Sequence, residues 1–281
     1  MSLVSAGTLV TEAAARRSAV LAFNVIALEH AEAIAAAAES TATPLILAIS
    51  ENAVRYHGGR LAPITRATAA LGESIAVPVG LHLDHVTDAA LIEQAADCGY
   101  TSVMFDAGAL PHDENIALTA AATARAHADG LWMEAELGYV GGKASQPKSA
   151  HAEGVRTDPG EAVDYVARTG VDALAVAVGS SHAMTTRTAS LDDGLIASLR
   201  EQVPVPLVLH GSSGVPDDAL RSAIGAGIAK VNVGTALNIA MTGAVRAALD
   251  ADRTLVDPRK YLTPARDAMT GAVAALLALL A

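Results

Sequence analysis

Short apolar runs rich in β-branched residues recur eight times along the chain, separated by Ala-rich stretches of helical character, and this alternation narrows the open architectures more than any other feature. The predicted strands are 20–23, 44–49, 77–83, 101–105, 131–137, 173–178, 205–209 and 229–233. Helical segments are expected at 28–40, 89–98, 116–129, 159–169 and 217–226. The runs around Leu45, Ala175 and Leu207 are continuously apolar rather than alternating, as in parallel strands covered on both faces. Strand then helix, eight times, is the pattern of an α/β protein of the (β/α)8 or TIM-barrel type. Such a barrel takes about 250 residues, and the chain has 281. At about 150 residues per domain two domains would also fit, but no Ser/Gly/Pro linker divides the chain. One barrel domain over residues 1–281, ending in a helical segment, is therefore expected. The stretches 138–157 and 180–190 are long for plain connections, and long loops after barrel strands usually carry function.

Composition removes several partner classes. With 19 Lys+Arg against 30 Asp+Glu the net charge is −11, and there is no basic run, so neither nucleic acid nor an anionic membrane surface is expected as a partner. The single cysteine, Cys98, rules out an internal disulfide and fits a reducing compartment. The apolar run 271–281 is shorter than the roughly 20 residues that span a bilayer. The amino terminus also lacks a basic start followed by an apolar core, so a cytoplasmic location is expected.

In a barrel enzyme the active site gathers where strands end and the following loops begin. The residues at those places are polar: Asn24, Ser50, Asp84 with His85, Asp106, Glu134 with Glu136, Gly179 with His182, His210 with Gly211, and Asn232 with Thr235. His85, His182 and His210 follow strands three, six and seven. Three neutral imidazoles converging from three strands make a zinc site with one coordination position left for chemistry. His30, His57, His112, His127 and His151 have no such setting, while His82 shares the face of Asp84 two residues on. Glu134 and Glu136 share a face too, and a buried carboxylate needs an ion pair, a metal or a proton-transfer task. Asp106 fits the same site or, equally, a cap of the next helix.

The segment LHGSSGVPDD (209–218) puts Gly211, Ser212, Ser213 and Gly214 in a turn after strand seven, and Asn232, Val233, Gly234 and Thr235 follow in strand eight and its turn. Together these form a phosphate cradle where barrels often keep one. Lys230 lies on the strand face of Asn232, which leaves open a Schiff-base mechanism or a structural lysine.

The segments GLHLDHVTDA, MEAELGYVGG, VGSSHA, LHGSSGVPDD, KVNVGTAL and DPRKYLTPARDAM resemble the class II, metal-dependent fructose-bisphosphate and tagatose-bisphosphate aldolases, from about Ala22 to Met269. The resemblance implies Asp84 as the catalytic acid/base, His85, His182 and His210 as zinc ligands, and Asp106 and Glu136 as positions that hold a second divalent metal in some members. It implies Ser50 as a contact to the aldehyde half of a phosphorylated sugar, and Gly211, Ser212, Ser213, Asn232, Val233, Gly234 and Thr235 as contacts to dihydroxyacetone phosphate. A monovalent cation near the phosphate and assembly as a homodimer or homotetramer are implied as well. Four departures stand out. His182 is followed by Ala183 where the family has Gly; Ser212 adds a hydroxyl to the phosphate turn; Gly234 replaces an acidic residue common in fructose-bisphosphate members; and the loop after Gly141-Gly142 reads KASQPK, leaving Glu153 as its nearest acid. The expected activity is reversible aldol cleavage of a phosphorylated ketose, with a Schiff-base aldolase using Lys230 or a non-catalytic barrel binding a phosphorylated ligand as alternatives.

Overall fold

The computed structural model describes residues 3–138 and 156–280. Eight parallel strands close into a barrel in chain order: β1 (Val20–Asn24), β2 (Leu45–Ser50), β3 (Val79–Val86), β4 (Ser102–Phe105), β5 (Trp132–Leu137), β6 (Ala173–Val176), β7 (Leu207–Leu209) and β8 (Ile228–Val233), which pairs back onto β1. Each expected strand is present with its ends moved by three residues at most. The largest difference is in β3, where the apolar run stops at Leu83 but pairing continues, Asp84 opposite Ser50 and Val86 opposite Phe105. A register shift between Leu83 and Val86 marks a bulge, so Asp84 and His85 belong to the strand itself rather than to the loop beyond it.

Alternation along the strands sorts side chains between the helix layer and the barrel interior. Leu21, Phe23, Leu81, Leu83, Met133, Ala135, Val231 and Val233 pack outward into the main core under the helices. Val20, Ala22 and Ile46 face inward at the amino-terminal end and meet Ala6 and Val10 of the helix Ala6–Ala15, joined by Ala229, which a register irregularity in β8 takes out of the alternation. That helix was not expected; it closes the barrel floor. The fit is close enough to need glycine, since a Cβ on Gly80 would lie 2.9 Å from the Ala6 Cβ. Toward the other end the inward positions turn polar, and all of them are buried: His82, Asp84, Ser102, Glu134, Glu136, His210, Lys230 and Asn232.

The last two helices, Thr235–Ala251 and Pro258–Leu277, pack on each other, and Pro258–Leu277 packs on the helix Leu28–Thr41. Asp158, Asp192 and Asp257 each cap a helix through a side-chain bond to a first-turn amide. Among the described residues no helix is long and apolar enough to cross a membrane.

Candidate active site and metal centre

The three strand-end histidines meet. One ring nitrogen from each of His85, His182 and His210 lies within 4.8 Å of the other two, and the rings stand edge to face with centroids 4.7–5.8 Å apart. Three imidazoles whose nitrogens converge at the wall of a cleft form a donor set that fits a divalent ion of borderline softness with one side open.

The backbone is bent to bring them there. His85 sits at φ 51° and Ala183, directly after His182, at φ 57°, both in the left-handed region that costs a non-glycine residue about 1–2 kcal/mol. Ala183 therefore occupies a conformation in which Gly would be unstrained. Gly211 is left-handed too, at φ 66°, and a Cβ there would lie 2.6 Å from the carbonyl carbon of Ser181 and 2.7 Å from its oxygen. The loop carrying His182 thus rests directly on the turn that follows His210. Gly211→Ala is expected to destabilise the fold by about 2–5 kcal/mol, overpacking added to a strained φ. Denaturant unfolding measures it; unchanged stability would mean the 181–182 backbone yields freely.

Asp84 lies beside this cluster, 2% exposed. Asn24 Nδ2 donates to its Oδ2 at 3.0 Å and Asn232 Nδ2 to its Oδ1 at 3.2 Å. Burial alone would raise its pKa, but the neighbouring His85, with His82 and His210, holds the carboxyl well below the usual range. Its carboxylate is ionised and held in a fixed orientation. Asp106 Oδ2 is 3.1 Å from His85 Nδ1, and its Oδ1 accepts from the Gly108 amide. The alternative of a helix cap at Asp106 is not realised, because the next helix starts at His112 with Pro111 before it. Glu136 does not line the cleft; its Oε2 lies 3.1 Å from His210 Nδ1.

Beneath the site is a buried charged layer. Glu134 Oε1 is 2.9 Å from His210 Nε2, and Lys230 Nζ donates to Glu134 Oε2 at 2.7 Å; all three side chains are fully buried. Lys230 Nζ also lies 3.5 Å from His82 Nε2, and His82 Nδ1 is 2.7 Å from Ser102 Oγ. Burial opposes ionisation of Glu134 and of His210, yet Lys230 keeps Glu134 below its ordinary value, and hydrogen bonds to Glu134 and Glu136 raise His210 to about 9. Lys230 is thus paired with Glu134 and does not line the cleft, which fits the structural alternative of the two that the sequence left open. Removing one partner from such a pair typically costs about 3–5 kcal/mol.

The cleft over the strand ends holds about 490 Å³ and is lined by Asp84, His85, Asp106 and His182 on one side. Gly211, Ser212, Ser213, Gly234 and Thr235 line it as well. Two of the expected contacts present no free side-chain donor to the cleft. The Ser212 hydroxyl turns inward to donate to the Asn232 carbonyl, so its one hydrogen is used within the protein. Val233 points outward into the helix-layer core and does not line the cleft, as strand alternation requires. Ser213 Oγ accepts from the Ala236 amide at 3.1 Å, tying the two turns together. A Cβ at Gly234 would approach Asn24 Oδ1 at 3.1 Å, so a small residue there keeps Asn24 free to hold Asp84.

Ser50, registered opposite Asp84, also lines the cleft while its Oγ caps the helix Glu51–Tyr56 at the Ala53 amide. That helix was missed, being too short for a periodic signal. It brings Asn52 and Arg55 into the cleft wall, Arg55 paired with Glu51, which is buried and also holds Thr87 and Asp88. The Gly141-Gly142 loop, Lys143, His151 and Glu153 lie outside the described residues.

The chain matches the family described as fructose-bisphosphate aldolase class-II over residues 4–281. It is 42% identical over 275 residues to a fructose-bisphosphate aldolase of Geobacillus stearothermophilus, covering 97% of this chain and 95% of that one. A fructose-bisphosphate aldolase of Staphylococcus aureus is 39% identical over 271 residues, with 96% and 94% covered. Among solved structures, the YdjI aldolase from Escherichia coli K12 superimposes with a TM-score of 0.81 at 30% identity, covering 99% of this chain and 97% of that one. A family match over nearly the whole length, with relatives at about 40% identity, has one reading: the chain belongs to the class II fructose-bisphosphate aldolase family.

Proposed function

We propose that the protein reversibly cleaves a ketose bisphosphate of the fructose or tagatose type into dihydroxyacetone phosphate and an aldehyde, with zinc held by His85, His182 and His210. The observation that carries this reading is the ionised Asp84 carboxylate beside three converging imidazoles, in a cleft also lined by two glycine turns. Bound there, zinc would supply Lewis-acid polarisation of the substrate carbonyl, worth several kcal/mol. Asp84 takes the proton of the hydroxyl at the bond being cleaved and returns it in condensation. Asn24 and Asn232 fix its two oxygens for that transfer. Gly211, Ser213, Gly234 and Thr235 receive the phosphate of the dihydroxyacetone phosphate half, Thr235 opening the helix Thr235–Ala251 whose amino-terminal dipole favours an anion. Asn232 shares that wall, and Ser50 meets the aldehyde half. Asp106 and Glu136, each 3.1 Å from a ring nitrogen, suit a second divalent ion, and a monovalent cation is carried over beside the phosphate.

The test is an assay of fructose and tagatose 1,6-bisphosphates for aldehyde release, before and after exhaustive chelation. Cleavage of at least one, lost on chelation and restored by zinc, is expected. Full activity in metal-free protein, or a substrate-dependent borohydride adduct on Lys230, would overturn the proposal. The half-exposed Ile239 on the otherwise Ala-rich helix Thr235–Ala251 supports assembly as a homodimer or homotetramer. Light scattering that gives the mass of one chain would refute that. The lone cysteine supports a cytoplasmic site of action.

A further inference from the structure

The reaction as proposed uses neither Glu134 nor Lys230, although both are fully buried at the centre of the barrel and in contact with the site's own machinery. Burying an ion pair is a poor way to gain stability, since desolvation of both charges offsets their attraction. A role is better sought in what the pair touches. Glu134 Oε1 lies 2.9 Å from His210 Nε2, and Asn232 Nδ2 lies 3.2 Å from the same nitrogen while donating to Asp84. If Nε2 were the unprotonated nitrogen, its lone pair would face a carboxylate held ionised by Lys230 at 2.7 Å. Nε2 must therefore carry the proton and donate it to Glu134.

We infer that the Glu134–Lys230 pair is a positioning device for His210, fixing its tautomer and ring so that Nδ1 is the nitrogen offered to the metal. Nδ1 lies on the Glu136 side, 3.1 Å from Oε2. His85 is treated in the same way with the nitrogens exchanged, its Nδ1 taken by Asp106. A carboxylate behind a ligating imidazole fixes orientation and raises ligand basicity, and its loss typically weakens metal binding about 10–100-fold. Lys230 acts one step further back, as the counter-ion that keeps Glu134 ionised.

The inference rests on the zinc reading of the three histidines, and the experiment separates the two. Zinc affinity of the full-length apoprotein is measured by competition with a chromophoric chelator, with thermal unfolding of each apoprotein alongside. Glu134→Gln alone is expected to lose stability, because it strands the Lys230 ammonium; Glu134→Gln with Lys230→Met removes both charges at similar volume and should recover it. The double variant should still bind zinc about 10–100-fold more weakly than the wild type. A double variant as stable as the wild type that binds zinc equally well would reduce the pair to a structural role and overturn the inference. Nitrogen NMR of zinc-loaded wild-type protein labelled at histidine, with His210 assigned by loss of its signals in His210→Asn, reads the tautomer without relying on any variant that folds poorly. Protonated Nε2 with metal-bound Nδ1 is expected, and the reverse overturns the inference. Wild-type protein that takes up no zinc would overturn the metal reading itself.

Discussion

His85→Ala is expected to strip the protein of zinc and to lower the cleavage rate by about 10³-fold, the scale of several kcal/mol of lost Lewis-acid stabilisation. A zinc site of three protein ligands has none to spare, and two imidazoles leave the ion weakly held and misdirected. The replacement should be cheap for the fold. The His85 side chain is 21% exposed, and its backbone already bears the left-handed φ that Ala would inherit, so no new strain is introduced. Loss of activity with retained thermal stability therefore isolates the metal. Elemental analysis and initial rates on the same preparation decide it: about one zinc per chain together with a normal rate would remove His85 from the ligand set.

How far this site can be read from the sequence depends on which physical signal each residue leaves. The barrel is legible because buried parallel strands must be continuously apolar, and that pattern survives without knowledge of any contact. The three histidines are legible because polar residues at apolar strand ends are costly unless used. What cannot be read is direction. Ser212 and Ser213 are adjacent and chemically identical, yet one hydroxyl folds inward to the Asn232 carbonyl and the other ties down the Ala236 amide. Lys230 is a similar case, since its spacing from Asn232 places it on the inner face but not at a depth. Only the register of β8 against β1, Lys230 opposite Val20 and Asn232 opposite Ala22, sets it below the cleft. The bulge in β3 leaves no compositional mark, which is why the strand was expected to end at Leu83. The short helix Glu51–Tyr56 escapes notice for a different reason: six residues hold too few turns for a hydrophobic period, and only Ser50 as a cap followed by an acidic first turn hints at it.

Asp84→Ala should separate proton transfer from metal binding. Its carboxylate is held by two side-chain amides, and His82 Nε2 stands 3.7 Å away, so its removal leaves the three imidazoles and their backing carboxylates in place. Zinc content should stay near that of the wild type. The cleavage rate should fall by about 10²-fold or more, the usual scale for losing a positioned acid or base. Asp84→Asn is the sharper variant, because it keeps the volume between Asn24 and Asn232 while removing the ability to accept a proton. It should be as inactive as Asp84→Ala if proton transfer is the role, and more active if the role is only to space the site. Burial also fixes the sign of the stability change. A buried carboxylate whose pKa is depressed in the fold stabilises the native state above its unfolded pKa, so either variant should lower the apoprotein's advantage at neutral pH and narrow the gap in acid. Zinc lost along with the carboxylate would make Asp84 a ligand or the support of one. A near-normal rate would mean that another group moves the proton, and the assignment of Asp84 as the base would fall.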